Sequence, residues 1–360
     1  MSWAHRDFCL NGHSFSSKEE LVLYAKKVND VLYNFLVDWF SADDFVAVQT
    51  SGSTGKPKKI LLRKEHMKNS ACTTGEFFNI LEKTSALCCL PIEFIAGKMM
   101  VVRAVTLGWH LDVIRPSSSP LFGITKKYNF CAMVPLQLRN SVEQLHLIDQ
   151  LIVGGAPVSE KLQECLQSLS TRVYATYGMT ETITHIAVRP LNHISKNTKK
   201  SNYQVLPGIS ISKDQRSCLV IDAPKILDQR IITNDVVDII SKRQFQWKGR
   251  FDLVVNSGGI KLYPEAIERK LAPHIPYRFF VVGIPDKVLG ERLVLVIEGK
   301  LDCFSLDKFK NFNTLLHPYE IPKEVFFVAQ FKETSNRKVL RKESLKQVSN
   351  NKFDNLDSWY

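Results

Sequence analysis

The chain has 360 residues, 44% hydrophobic and 23% charged, proportions that exclude a disordered or fibrous protein. No apolar run approaches the roughly 18 residues of a membrane span, and Met1 to Asp7 lack a signal-peptide pattern, so a cytoplasmic protein with no membrane partner is expected. The net charge of +12 calls for an explanation, but the basic residues are dispersed and no aromatic-interleaved basic motif marks a nucleic-acid module.

Residues 17–40 read as one amphipathic helix, with capping-box spacing at Ser17 and Glu20 and apolar residues from Leu21 to Trp39 at helical intervals. The apolar strand Phe45-Val46-Ala47-Val48 runs into a loop of small residues, Thr50-Ser51-Gly52-Ser53-Thr54-Gly55-Lys56. Such a loop lets backbone approach a polyphosphate while hydroxyls, amides and lysines meet its oxygens; the bland alternative is a flexible surface turn. It is not a Walker A loop, because only two residues separate Gly52 from Gly55 and Pro57 follows Lys56. Cys88 and Cys89 lie in an apolar stretch, and none of the eight cysteines forms a C-x-x-C pair. They read as small core residues in a reducing compartment.

Beyond Leu90-Pro91-Ile92-Glu93-Phe94-Ile95-Ala96-Gly97, the middle of the chain alternates short apolar runs with helical stretches, which argues for α/β layering. Leu151-Ile152-Val153 precedes the turn Gly154-Gly155-Ala156-Pro157, a helix is expected over 159–169, and Val173-Tyr174-Ala175 leads into Thr176-Tyr177-Gly178-Met179-Thr180-Glu181-Thr182. Residues 192–202 read as a polar surface loop. Short strands follow at 218–221, 230–232, 236–240 and 245–247, with Asp235 between two of them, where an acidic turn capping a strand is one reading. The pattern then changes. A large α/β domain over 1–248, a boundary at 249–252, which the resemblance described below makes a hinge, and a smaller α+β domain over 253–360 are expected. The smaller domain would have a strand at 253–255, a helix opened by Pro264, strands at 279–282, 293–297 and 325–327, a helix near 306–316 and a terminal helix.

In order, these segments closely resemble the signatures of the adenylate-forming superfamily, which includes acyl-CoA synthetases, aryl-CoA ligases, peptide-synthetase adenylation domains and luciferases. The resemblance spans nearly the whole chain, although the phosphate loop starts much earlier than in typical members. It implies an ATP-, Mg²⁺- and CoA-dependent ligase with a large adenylation domain and a mobile C-terminal lid. Thr50 to Lys56 would bind phosphates, and Gly154, Gly155, Ala156 and Pro157 would form the adenine turn. Tyr177 would stack on adenine beside Thr176, Thr180 would contact the α-phosphate, and Glu181 would hold Mg²⁺. Asp235 would take the ribose hydroxyls, although Asn234 replaces the customary glycine before it. Arg250 would contact ribose or phosphate, Asp252 would be the hinge, and Ser257, Gly258 and Gly259 would line the CoA channel. Lys338 would be the catalytic lysine, with Arg337 in place of the usual glycine.

Phe94, Gly97 and Gly178 would line the acyl site, where an aromatic wall suits a flat acid; Phe94 reads equally well as a core residue. The compact form, with Ser257-Gly258-Gly259-Ile260-Lys261-Leu262-Tyr263-Pro264, is most similar to the o-succinylbenzoate–CoA ligases of menaquinone biosynthesis. A carboxylate ionises near pH 4, so its attack on the α-phosphate needs no general base, in keeping with the lack of an obvious Ser/His/Asp arrangement. ATP and CoA, both polyanions, give the positive charge a use. A ligase for another aryl or fatty acid would share the ATP residues, and a stand-alone adenylating enzyme would load a carrier protein instead of CoA. A homodimer is one arrangement that would cover the face left open by the short N-terminal region.

Overall fold

Strands with apolar residues on both faces need cover from two sides, and this chain supplies helices for each. The computed structural model describes residues 3–49, 59–193, 202–299, 312–333 and 339–348. The chain begins with β1 (Cys9–Leu10), α1 (Lys18–Val28), α2 (Asp30–Phe40), the hairpin of β2 (Phe45–Gln49) and β3 (Lys59–Arg63), and α3 (Lys64–Phe78). It continues with β4 (Ser85–Cys88), α4 (Ile95–Leu107), β5 (His110–Val113), β6 (Tyr128–Met133), α5 (Pro135–Asn140), β7 (Ile148–Val153), α6 (Glu160–Leu166) and β8 (Arg172–Gly178). Then come β9 (His185–Pro190), β10 (Tyr203–Val205), β11 (Ser210–Lys213), β12 (Cys218–Asp222), β13 (Ile231–Ser241) and β14 (Gln244–Arg250).

A 12-stranded sheet takes the order β1-β5-β4-β6-β7-β8-β9-β10-β14-β13-β12-β11. Neighbours are parallel from β1 to β8 and antiparallel from β8 to β11. Successive residues of the parallel strands enter opposite cores. Ala86, Cys88, Phe130 and Ile152 pack with residues of α3 and α4, while Leu87, Cys131, Leu151 and Val153 pack with residues of α5 and α6. Among the described residues no helix is long and apolar enough to cross a membrane.

The remaining elements are β15 (Val255–Ser257), β16 (Ile260–Leu262), α7 (Pro264–Leu271), β17 (Phe279–Asp286), β18 (Gly290–Glu298), α8 (Phe312–Leu315), β19 (Glu324–Val328) and α9 (Arg341–Leu345). They build a second sheet in the order β16-β15-β18-β17, with β19 parallel to β18. This sheet too has a core on each face, one with Ile267 and Leu271 of α7, the other with Phe280, Val294 and Phe326. Strand β14 of the large sheet runs through Gly249 and Arg250, residues 251–253 form a short 3₁₀ turn, and the strand expected at 253–255 begins only at Val255, as β15.

Several expectations need correction. The helix over 17–40 is two helices, because Asn29 takes an extended conformation, donates its N–H to Ala25 O and caps α2 by accepting Leu32 N at 2.7 Å. The strands at 230–232 and 236–240 are one strand, β13, so Asp235 lies mid-strand and not on a turn. Asn192 is not surface loop. It is buried, donates to Leu166 O and Thr171 O, and accepts Val173 N. Cys72 and Cys165 are exposed rather than core residues, and Cys303 lies outside the described residues.

Candidate active site

In open α/β sheets, ligands sit beyond the carboxyl ends of the parallel strands. Phe94 and Gly97 follow β4, Gly154 to Pro157 follow β7, Thr176 to Gly178 end β8, and Thr180 and Glu181 lie just past it. The topology therefore brings these segments to one edge of the sheet. Phe94, half exposed at 48%, is the N-cap residue of α4.

Three glycines there are forced by close approach. A Cβ on Gly154 would lie 2.5 Å from Thr176 Oγ1, and that hydroxyl donates to Val153 O at 3.2 Å. A Cβ on Gly178 would meet Thr184 O at 2.2 Å, where β8 and β9 pair with a bulge. On Gly97 it would meet Pro91 O at 2.3 Å, so the first turn of α4 can pack on the Pro91–Ile92 backbone only without a side chain.

Between β8 and β9, residues 180–182 form a 3₁₀ turn that presents Glu181 to solvent. Thr182 Oγ1 accepts Met179 N at 3.0 Å and lies 2.8 Å from Thr184 O, as a donor to it. Ile183 follows at φ 67° and ψ −61°, and Thr184 N bonds Thr182 O at 2.7 Å, which is the strained form of the γ-turn. A β-branched residue there costs on the order of 1–3 kcal/mol, offset by burial of Ile183 in the main core.

Asp235, only 7% exposed, gathers two of the other predicted residues. Tyr177 Oη donates to its Oδ2 at 2.6 Å, and Arg250 Nε stands 3.9 Å from its Oδ1. Burial and the adjacent carboxylate hold the Tyr177 phenol well above its usual range, so it remains a donor. Trp247 Nε1 also donates to Asp235 Oδ1, at 3.1 Å. The sequence reading missed Trp247, although its place two residues before Gly249-Arg250 puts it on the same short strand. Arg250 also donates to Asp252 Oδ1 at 3.3 Å.

The structure does not bring every predicted residue to this edge. Ser257, Gly258 and Gly259 form the β15–β16 turn of the second sheet, where both glycines have positive φ and Gly258 N donates to Leu289 O. Thr50, Ser51, Gly52, Ser53, Thr54, Gly55, Lys56 and Lys338 lie outside the described residues.

Arg103 is a second residue the sequence reading missed. It lies about 13 Å along α4 from Phe94 and is only 2% exposed. Its Nη2 reaches Thr184 Oγ1 at 3.5 Å, just behind the Ile183 turn, and its Nε has no partner. Among the described residues no carboxylate pairs with it, and burial pushes it down to about 10, so it remains a cation at neutral pH. A lone charge in the apolar run Met99-Met100-Val101-Val102-Arg103-Ala104-Val105 was the available signal. Neighbouring His185 is held well below its ordinary value, first by burial and then by Arg103.

The family model of AMP-binding enzymes matches residues 8–215. The 2-succinylbenzoate–CoA ligase of Geobacillus sp. (strain WCH70) is 24% identical, with 87% of this chain and 71% of the relative covered. That of Listeria monocytogenes serovar 1/2a is 25% identical, covering 81% and 68%. Among solved structures, the acyl-CoA synthetase (AMP-forming)/AMP-acid ligase II-like protein from Dyadobacter fermentans is 34% identical. It covers 93% of this chain and 99% of its own, at a TM-score of 0.61. The o-succinylbenzoate CoA synthetase from Bacillus subtilis, in complex with its acyl-adenylate intermediate, aligns at a TM-score of 0.72 and 20% identity, covering 85% of this chain and 70% of its own. A family match over more than half the chain, and an edge of the sheet where its expected segments meet, make this chain a member of the AMP-binding enzyme family.

Proposed function

We propose that this chain joins 2-succinylbenzoate to coenzyme A, as in menaquinone biosynthesis, through an acyl-adenylate made from ATP. The names of its curated relatives support that reaction. The observation that carries the choice of acid is Arg103, a buried guanidinium without a carboxylate among the described residues. A buried unpaired charge is costly. 2-Succinylbenzoate has two carboxylates: one is activated, and the other remains an anion that Arg103 can pair.

In this reading a nucleotide lies across the ends of β7 and β8. Gly154 and Gly155, with Ala156 and Pro157, leave backbone open to adenine, and Tyr177 stacks on it. Asp235 receives the ribose hydroxyls, since a carboxylate offers about four lone-pair sites and Tyr177 and Trp247 use one each. Glu181 is exposed and has no ion pair among the described residues, where no cluster of three His, Cys, Asp or Glu side chains forms a metal cage. One carboxylate plus substrate phosphates is the usual donor set for Mg²⁺, so Glu181 fits as its protein ligand. When bound, the ion supplies charge neutralisation at the phosphates.

Thr180 donates a hydrogen bond to the α-phosphate and Lys338 neutralises its charge as the acid attacks, while the 50–56 loop cradles the leaving pyrophosphate. Asp252 is the hinge for the second half-reaction, in which Ser257, Gly258 and Gly259 line the path of the thiol. Thioester formation over a panel of acids tests the reading. 2-Succinylbenzoate is expected to be the preferred substrate, and Arg103→Met to cut its kcat/KM about a hundredfold while sparing an analogue without the second carboxylate. Adenylate without CoA thioester would redirect the reading to carrier-protein loading, and equal use of monocarboxylic acids would remove Arg103 from it.

A further inference from the structure

Helix α7 serves two structures at once. Ile267 and Leu271, one turn apart, are buried in the core of the second sheet. Glu265 and Arg269 share the same i, i+4 spacing but lie about 200° round the helix from them, and that face meets β14 of the large sheet. Glu265 Oε2 accepts Arg250 N at 3.4 Å and lies against bare backbone, since a Cβ on Gly249 would stand 2.7 Å from it. Arg269 stands 5.7 Å over the Trp247 ring.

The two residues held in this way address the same oxygen of Asp235. Trp247 Nε1 donates to Oδ1 at 3.1 Å, and Arg250 Nε stands 3.9 Å from that atom. Arg250 also lies directly opposite Asp235 in the β13–β14 pairing. The other oxygen, Oδ2, is served from β8 by Tyr177. Hydrogen bonds weaken steeply with angle, so a ribose diol is read well only by a carboxylate whose plane is fixed. Here one edge of that plane depends on supports that α7 backs.

We propose that Glu265 and Arg269 are positioning residues for nucleotide recognition. From the second sheet they brace Arg250 and Trp247, the supports of Asp235 Oδ1, so the ribose site is complete only with α7 in place. The proposal rests on the ribose role given to Asp235 above. A plain packing contact between the two sheets would weaken every nucleotide alike, whereas bracing of Asp235 is felt at the ribose hydroxyls.

Calorimetric binding of AMP and 2′-deoxyAMP to the full chain tests this. The wild type is expected to prefer AMP by at least about tenfold, the worth of a hydrogen bond to a carboxylate. Glu265→Ala and Arg269→Ala should each lower AMP affinity about tenfold and 2′-deoxyAMP affinity by no more than about threefold. Retained 2′-deoxyAMP binding also reports a folded chain. Glu265→Gln keeps an acceptor for Arg250 N and Arg269→Lys keeps a cation over the ring, so both should restore most of the preference. Arg269 is exposed, and its alanine variant decides the matter if Glu265→Ala fails to fold. An equal fall for both nucleotides, or an undiminished preference for AMP, overturns the proposal. A wild-type chain indifferent to the 2′-hydroxyl overturns the ribose role of Asp235 and the proposal with it, while failure in the variants alone leaves that role standing.

Discussion

His185 is buried near the Arg103 cation, so charging its imidazole there carries a cost that depends on pH. The folded chain keeps His185 neutral, while in the unfolded chain the imidazole takes a proton below about pH 6.5. Below that value the unfolded state binds more protons, so stability falls as pH drops towards the depressed folded pKa, by about 1.4 kcal/mol per pH unit. His185→Leu should flatten that limb of a stability-versus-pH curve measured by urea unfolding, and an unchanged slope would assign it to other groups. At Asp235, Asp235→Asn keeps the size but turns an NH₂ towards Trp247 or Tyr177, and AMP affinity by calorimetry should fall about tenfold to a hundredfold. Trp247→Phe, which removes one donor only, should cost less. The Tyr177 and Asp235 motifs were visible in the sequence because residue types and order carry them. Their link to Trp247 was not, because it depends on the β13–β14 register, which shifts between Val236 and Val237.

At the scale of elements, helical periodicity found α1 and α2 but fused them, since it cannot register one extended residue between two in-phase helices. The polar pair Asn234-Asp235 similarly broke β13 on paper, yet Asp235 is paired mid-strand and its carboxylate is satisfied by side chains. Glycines at segment ends give the sharpest predictions. Gly178→Ala and Gly97→Ala each drive a methyl into backbone and should destabilise the fold by about 3 kcal/mol, read as a lower urea midpoint at unchanged slope. Gly123→Ala, at positive φ with open space around it, should cost only about 1 kcal/mol. Equal losses at the three sites would mean that backbone conformation, and not close approach, governs them.

For the molecule as a whole, α/β layering was legible from alternating runs. The length of the sheet was not, since the β11–β14 strands join it only where β14 pairs with β10, Tyr203 lying opposite Phe245 across a long stretch of chain. The net charge of +12 bears on polyanion capture: ATP affinity should fall several-fold between low and high salt, and a flat response would leave the charge without that use.

The outer border of the parallel strands has a consequence of its own. Leu10 and Cys9 lie along β5, Asn11 N donates to Leu111 O, and Asn11 Oδ1 accepts Val113 N at 2.8 Å, so a strip barely three residues long caps the free amides and carbonyls of β5. Stripped of that strip, β5 would offer a sticky ribbon to any neighbouring copy. Proteolytic trimming of residues 3–13 is therefore expected to cost solubility before it costs secondary structure.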